Sequence, residues 1–292
     1  MFLKFTLWLT VCFLCPLALV AQPQSSDTAT EIPFKLQNGA VLIDVTLKGK
    51  GPFTMGLATG SPHSSLDHAT ISAAGYQANF TYDPRTFQYP VFVQATGMEI
   101  GGLKINTLSM KVSDMSSYAQ ELGRPLHGIL GYDFFKGRVV QIDYKQKVVR
   151  FLPKNTYKAM QKAGVPASAA PVVAPMELIS EDPVPIVKEI AVNGVKFKAM
   201  LDTWQNLPLA LTPAALKQLA LPVAAEKTPP QIKPVESLQF AELKLTAPQA
   251  AWYSKGTGLD HGLAKYGAIV GAGFLSRYVV TFDYANKLIV IE

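Results

Sequence analysis

Few residues in this chain can do chemistry, and the carboxylates stand out among them. Both cysteines, Cys12 and Cys15, fall inside an apolar N-terminal run. The rest of the chain offers no thiolate nucleophile, no disulfide and no cysteine-based metal site. The histidines are His63, His68, His127 and His261. His63 and His68 are five residues apart, a spacing that shares one face of neither a helix nor a strand, and no third ligand lies near them in sequence. All four read as polar loop residues, and neither a metal nor a cofactor is expected. No Gly-x-Ser-x-Gly elbow is present. "GMEIGGLK" (97–104) lacks the strand-then-helix setting of a phosphate-cradling loop. Acid–base work by carboxyl groups remains. Asp202 is the leading candidate, at the end of the apolar strand "FKAMLDT" (197–203). Asp67 reads as a helix cap or surface charge, and Asp143 and Asp283 as structural residues of two hairpin turns.

The elements that must position Asp202 belong to an internal repeat. "GYDFFKGRVVQIDYKQKVVRFL" (131–152) aligns without a gap on "GAGFLSRYVVTFDYANKLIVIE" (271–292). The two agree at Gly131/Gly271, Phe134/Phe274, Val139/Val279, Val140/Val280, Asp143/Asp283, Tyr144/Tyr284 and Lys147/Lys287. Upstream, "PFTMGLATG" (52–60) matches "KFKAMLDTW" (196–204), with Leu57/Leu201 and Thr59/Thr203 in common. Two matching blocks in the same order mark a duplication. Each copy reads as short strands: "AVLIDVTLKG" and "VPIVKEIAVNG" are apolar or alternating and end in Gly turns. Helices are few. The clearest is "LTPAALKQLAL", with Thr212 as N-cap and Pro213 at the first helical position, and a weaker one is "SLDHATISAAG". The expected division is 1–21 signal peptide, 30–155 first lobe, 156–171 linker and 172–292 second lobe.

These repeated blocks resemble those of the retropepsin-like aspartic peptidases, in the two-lobed form found in pepsin-like enzymes. The resemblance rests on "HGILGYDFFKGRVVQIDY" (127–144), "FKAMLDT" (197–203) and "GAIVGAGFLSRYVVTFDY" (267–284), and it spans nearly all of the chain after the N-terminal run. It implies an all-β protein of two related acid-protease-like barrel lobes in pseudo-two-fold arrangement, with a peptide-sized cleft between them. Gly131 and Gly271 would each pass beside the motif turn of their own lobe, and Ser61 would open the hydroxyl-rich loop after the first turn. A hairpin somewhere in 85–105 would form a flap over the cleft.

In that family two Asp-Thr-Gly turns supply two carboxylates that share a proton, one acting as base toward water and the other as acid toward the substrate carbonyl. Here the first turn is Ala58-Thr59-Gly60 and the second Asp202-Thr203-Trp204. Each half lacks what the other retains. Asp202 alone has no like-charge neighbour with which to divide a proton. Loss of an acid–base contribution costs on the order of 10² to 10⁴ in rate. Trp204 reads as a second, independent fault, its ring in or beside the cleft in the volume left by the lost acid.

Composition narrows the rest. Apolar residues make up 49% and charged ones 16%, enough for a core and against disorder. The net charge of +6 is scattered, with no basic, aromatic-interleaved stripe for nucleic acid. Lys4, the uncharged run "FTLWLTVCFLCPLALVA" and then polar "QPQSSDTATE" describe a secretory signal peptide cleaved after Ala21, with an uncleaved anchor as the other reading. The expected protein is therefore a secreted or periplasmic monomer that has lost ordinary proteolysis. Its partner would be an extended peptide or protein segment in the inter-lobe cleft, with no membrane contact after cleavage. Two alternatives stay open: an active endopeptidase with a non-standard site using Asp202, and a structural or assembly module with a filled cleft.

Overall fold

The apolar runs found in the sequence become strands whose buried faces meet in one core. The computed structural model describes residues 29–77, 92–157, 171–179, 183–256 and 266–292. The first half contributes β1 (Thr30–Pro33), β2 (Lys35–Gln37), β3 (Ala40–Leu47), β4 (Lys50–Leu57), β5 (Ser65–Asp67), α1 (His68–Ala74), β6 (Phe92–Ile100) and β7 (Leu103–Ser113). It continues through α2 (Ser116–Leu122), β8 (Gly128–Leu130), α3 (Tyr132–Phe135), β9 (Val139–Asp143) and β10 (Val148–Leu152). The second half contributes β11 (Val172–Pro175), β12 (Ile186–Val192), β13 (Val195–Asp202), β14 (Leu209–Leu211), α4 (Pro213–Gln218), β15 (Gln231–Pro234) and β16 (Ser237–Phe240). It ends with β17 (Leu243–Thr246), β18 (Gln249–Trp252), β19 (Ala268–Gly271), α5 (Ala272–Leu275), β20 (Val279–Asp283) and β21 (Leu288–Ile291).

Seven strands form the first-lobe sheet in the order β2-β3-β4-β8-β5-β7-β6, and a further β3–β6 pairing closes it on itself. That pairing covers part of the otherwise free edge of β6, while β2 stays at the end of the sheet. Eight strands form the second-lobe sheet, β15-β18-β14-β19-β13-β12-β16-β17. The motif strands sit in matching places. β4 runs parallel to β8, with Leu57 opposite Leu130, and β13 runs parallel to β19, with Asp202 opposite Gly271. β8 then pairs antiparallel with β5, and β19 antiparallel with β14. The duplication is thus also a duplication of topology.

A third sheet, β1-β10-β9-β20-β21-β11, joins the halves. At its centre the equivalent strands β9 and β20 pair antiparallel, with Val139 opposite Asp283, Gln141 opposite Thr281 and Asp143 opposite Val279. Equivalent residues thus pair symmetrically about the Gln141–Thr281 position, which marks a local two-fold axis. On one face Val140, Ile142, Tyr144, Val280, Phe282 and Tyr284 join a core that spans both lobes.

The turns explain several polar residues. Asp143 and Asp283 are buried and each accepts a backbone N–H three residues on, from Gln146 at 2.9 Å and Asn286 at 2.8 Å. Asp67 is the N-cap of α1, accepting from the Ala69 N–H, and Gly75 closes that helix in the left-handed region at φ 75°. Thr212 caps α4 by accepting from Ala215, with Pro213 in the first turn. The expected flap lies only partly within the described residues. β6 and β7 form a long hairpin whose turn, at Gly101-Gly102, lies beside Ile32 of β1, while 85–91 fall outside them. Most of the linker expected at 156–171 also falls outside. Among the described residues no helix is long and apolar enough to cross a membrane.

Candidate functional site

The two motif turns meet where the lobes touch, locked by a reciprocal set of hydrogen bonds. The Thr59 N–H donates to Thr203 Oγ1 at 3.1 Å, and the Thr203 N–H donates to Thr59 Oγ1 at 3.1 Å. The Thr59 hydroxyl donates to the Leu201 carbonyl at 2.9 Å, and the Thr203 hydroxyl to the Leu57 carbonyl at 2.8 Å. Both threonines are buried. Each hydroxyl is donor to one group and acceptor from another, so four interactions hold the turns with two side chains. The matching distances show that the local two-fold axis passes between the turns.

Asp202 lies on that junction. Its Oδ1 accepts the Trp204 N–H at 2.9 Å and, across the lobes, the Gly60 N–H at 3.2 Å. Its carboxylate rests on the Gly60 backbone. A Cβ at Gly60 would stand 2.4 Å from Asp202 Cγ and 2.7 Å from both carboxylate oxygens, so only glycine fits. Asp202 keeps some surface open to solvent. Burial is nonetheless the largest influence on its carboxyl and pushes the pKa above the usual carboxylate range, against the opposing pull of the Trp204 and Gly60 donors. Below the junction, burial chiefly and the Asp202 charge in addition push the phenols of Tyr144 and Tyr284 up, so both stay neutral. Among the described residues neither hydroxyl has a hydrogen-bond partner.

Ala58 is buried, 3% exposed, where the two-fold axis calls for the second carboxylate. It belongs to an apolar cluster with Leu42, Met115, Leu122, Leu126 and Ile129, and Trp204 packs against that cluster. The Trp204 ring crosses from the second lobe onto β4. A Cβ at Gly56 would lie 2.1 Å from its Cζ3. Tyr118 of α2 meets the ring edge-on, centroids 5.7 Å apart at 89°. The β2–β3 turn adds a further lobe-to-lobe contact, because a Cβ at Gly39 would stand 2.9 Å from Asn206 Cβ.

This geometry corrects one sequence-level expectation. Gly60 must be glycine because the acid of the other lobe lies on it. By the two-fold axis, position 204 faces residue 58 in the same way. With alanine at 58 no carboxylate occupies that place, and a side chain at 204 is admitted. Trp204 therefore packs against the cluster that holds Ala58 rather than standing as a feature unrelated to it.

The remaining candidates buttress the turns. A Cβ at Gly131 would stand 2.7 Å from the Ser61 and His63 carbonyl oxygens, and one at Gly271 would stand 2.4 Å from the Gln205 carbonyl oxygen. Both glycines have extended backbone, so they are needed for space rather than for left-handed φ. The Ser61 hydroxyl donates to the His63 carbonyl at 2.7 Å. His63 stays half-exposed, 4.0 Å from Asp133. Among the described residues no group of three or more His, Cys, Asp or Glu comes together to hold a metal. His261 lies outside them. Asp133 was missed by sequence reasoning: it accepts the Ser64 N–H and hydroxyl, and Ser64 in turn accepts the Gly131 N–H, tying the first motif loop to β8 and α3. Its place next to Gly131 and Tyr132 was the available signal.

The strand order and symmetry define the class: an all-β protein of two related acid-protease-like lobes about a pseudo-two-fold axis, with a cleft between them. No protein-family model matches the chain, and no curated protein matches it. Among solved structures, basic 7S globulin from soybean is similar with a TM-score of 0.51, over 91% of this chain and 95% of that one, at 10% identity. At that identity the likeness speaks for the fold.

Two predictions follow from the junction. The folded chain holds a proton on Asp202 at pH values where the unfolded chain, with its aspartate near 3.9, has released it. Stability therefore falls as pH rises through that window and stays lower above it. Asn at 202 keeps an oxygen for both N–H donors. Asp202→Asn should exceed the parent in urea stability at neutral pH, with the gap closing toward pH 4, and a gap independent of pH would refute the sign. Second, Ala58→Asp should destabilise the parent more than it destabilises Trp204→Gly, with a coupling of about 0.5–3 kcal/mol in a double-mutant cycle. Simple additivity would show that the two positions are not packing partners.

Proposed function

We propose that this protein is a secreted or periplasmic aspartic-peptidase homologue that binds an extended peptide between its lobes and does not cut it. One observation carries the loss of hydrolysis: the place of the second carboxylate is Ala58, and the neighbouring apolar space is packed by Trp204. A water poised between two acids needs both of them, one to take its proton and one to protonate the amide carbonyl. Asp202 alone has one partner too few. The surrounding scaffold is kept, including the threonine lock and the glycine supports, and this supports a cleft retained for binding. An extended chain would be held by backbone hydrogen bonds and side-chain pockets. The N-terminal basic, apolar and polar succession supports export.

The approach of Asn206 to Gly39 and the seating of Trp204 on Gly56 favour a second reading, an assembly module whose cleft is filled by its own side chains. Titration with an extended-peptide library, read by tryptophan fluorescence against Trp204→Phe, separates the two. Saturable binding without cleavage supports the first reading, and no saturable ligand supports the second. Unfolded protein substrates assayed from about pH 3 to about pH 7 should give equal background rates for the parent and Asp202→Ala. A parent clearly faster than Asp202→Ala would show an active peptidase instead.

Restoring both turns tests the cause. Ala58→Asp with Trp204→Gly should show more acid peptidase activity than either single change, because the two residues act in one cooperative site. If the double variant folds and stays inactive, the cleft has diverged beyond its turns.

A further inference from the structure

Between α1, the start of α2 and the segment before β8, the first lobe holds a pocket of about 410 Å³ that is open to solvent. This lies within the roughly 300–1,000 Å³ typical of small-ligand sites. Its walls are mainly apolar, with Phe53 from β4, Ala69 and Ala73 from α1, Met115 and Ala119 beside and on α2, and Leu126 before β8. Five polar residues break that surface: Asp67, Thr70, Asp114, Ser116 and His127. Thr70 is 1% exposed, and its hydroxyl has no hydrogen-bond partner among the described residues. Buried hydroxyls are nearly always paired, so this one stands out, although its oxygen is itself closed to solvent. Asp67 and Asp114 also line the cavity, and no lysine or arginine does.

Both carboxylates are fixed by backbone donors. Asp67 accepts the Ala69 N–H and the Met115 N–H, which ties α1 to the start of α2, and Asp114 accepts the Ser116 N–H. The Ser116 hydrogen bonds chiefly, with His68 adding a smaller pull, hold the Asp114 carboxyl below its usual range, so it stays charged. His127 also lines the space. Its Nδ1 is taken by the Thr54 N–H at 3.0 Å, and its ring packs edge-on to Phe53, centroids 5.4 Å apart. A largely apolar pocket open to solvent, with two carboxylates held by backbone donors and no lysine or arginine among its lining residues, suits one chemistry best.

We propose that this cavity is a second ligand site, separate from the cleft, for a cationic amphiphile: an apolar body ending in an ammonium group. The body replaces water against Phe53, Ala73 and Leu126. The ammonium group donates to acceptors that a carboxylate head would meet as like charges.

The full chain carrying ¹³C-methyl methionine reports occupancy through Met115, with its resonance assigned by Met115→Leu. Octylamine should shift that resonance saturably, octanol should bind more weakly, and octanoate weakest of the three. Ala73→Leu, at an exposed position of α1, fills the cavity and should abolish the octylamine response. If that variant does not fold, Ala69→Leu fills the same space from the other end of the helix. Asp114→Asn should weaken octylamine about two- to fivefold, as expected for an exposed charge. Octanoate binding as tightly as octylamine, or an octylamine response unchanged by filling the cavity, would overturn the proposal. Peptide titration of the cleft is a separate measurement, so the two readings stand or fall apart.

Discussion

The structure depends on two threonine hydroxyls exchanged between lobes. Thr59 and Thr203 each receive the other's N–H and donate to a carbonyl of the opposite motif strand. Both are buried, so an unmet donor or acceptor here would be costly, about 1–3 kcal/mol for each group. The arrangement is all or nothing. Shifting one turn by a fraction of a hydrogen-bond length loosens every bond at once, and the lock therefore fixes the relative position of the lobes at the two turns. Its partners are backbone atoms and threonines, so it does not need a carboxylate at either turn.

An alanine at 58 opposite an aspartate at 202 has electrostatic and steric consequences. A carboxylate pair places two like charges together and is kept tolerable by sharing a proton. With Ala58 there is no charge to share, and the upward displacement of the Asp202 pKa comes from burial against two N–H donors. Those donors favour the charged form and burial favours the neutral one, so Asp202 sits between opposing demands. Its field still reaches Tyr144 and Tyr284, placed at matching positions of the two repeats, whose buried hydroxyls face it without partners among the described residues. The matching place in the other half is apolar, with Ala58 embedded among Met115, Leu126 and Ile129.

Much of this was legible in the sequence, for a physical reason. The repeat preserved strand periodicity, the Thr of each turn and the glycines that backbone approach requires, and those features specify two all-β lobes. Asp67, Thr212, Asp143 and Asp283 could be read as caps and turn residues because local hydrogen bonds depend on residues only a few positions away. What could not be read were couplings between distant positions. Gly39 against Asn206, the Asp133–Ser64–Gly131 chain and the seating of Trp204 on Gly56 join residues that no local pattern connects. Trp204 shows the limit most clearly: in sequence it is a damaged motif, and only the two-fold geometry relates it to the alanine in the other half.

That relation has a further step. A large ring at 204 needs somewhere to go, and the direction it takes is fixed by a third position. Gly56 lies two residues before Ala58 on β4, and the ring lies against its Cα so closely that a single methyl group there would overlap Cζ3. Tyr118 closes the other side edge-on. Residues 56, 58 and 204 therefore form one packing unit: a missing carboxylate admits the tryptophan, and a missing Cβ receives it. The unit buries apolar surface where the two lobes touch, so residues 56, 58 and 204 add to the cohesion between them. A change to two acids must then work against that packing as well as supply the missing side chain, which is why a change at residue 58 alone meets resistance from the opposite lobe.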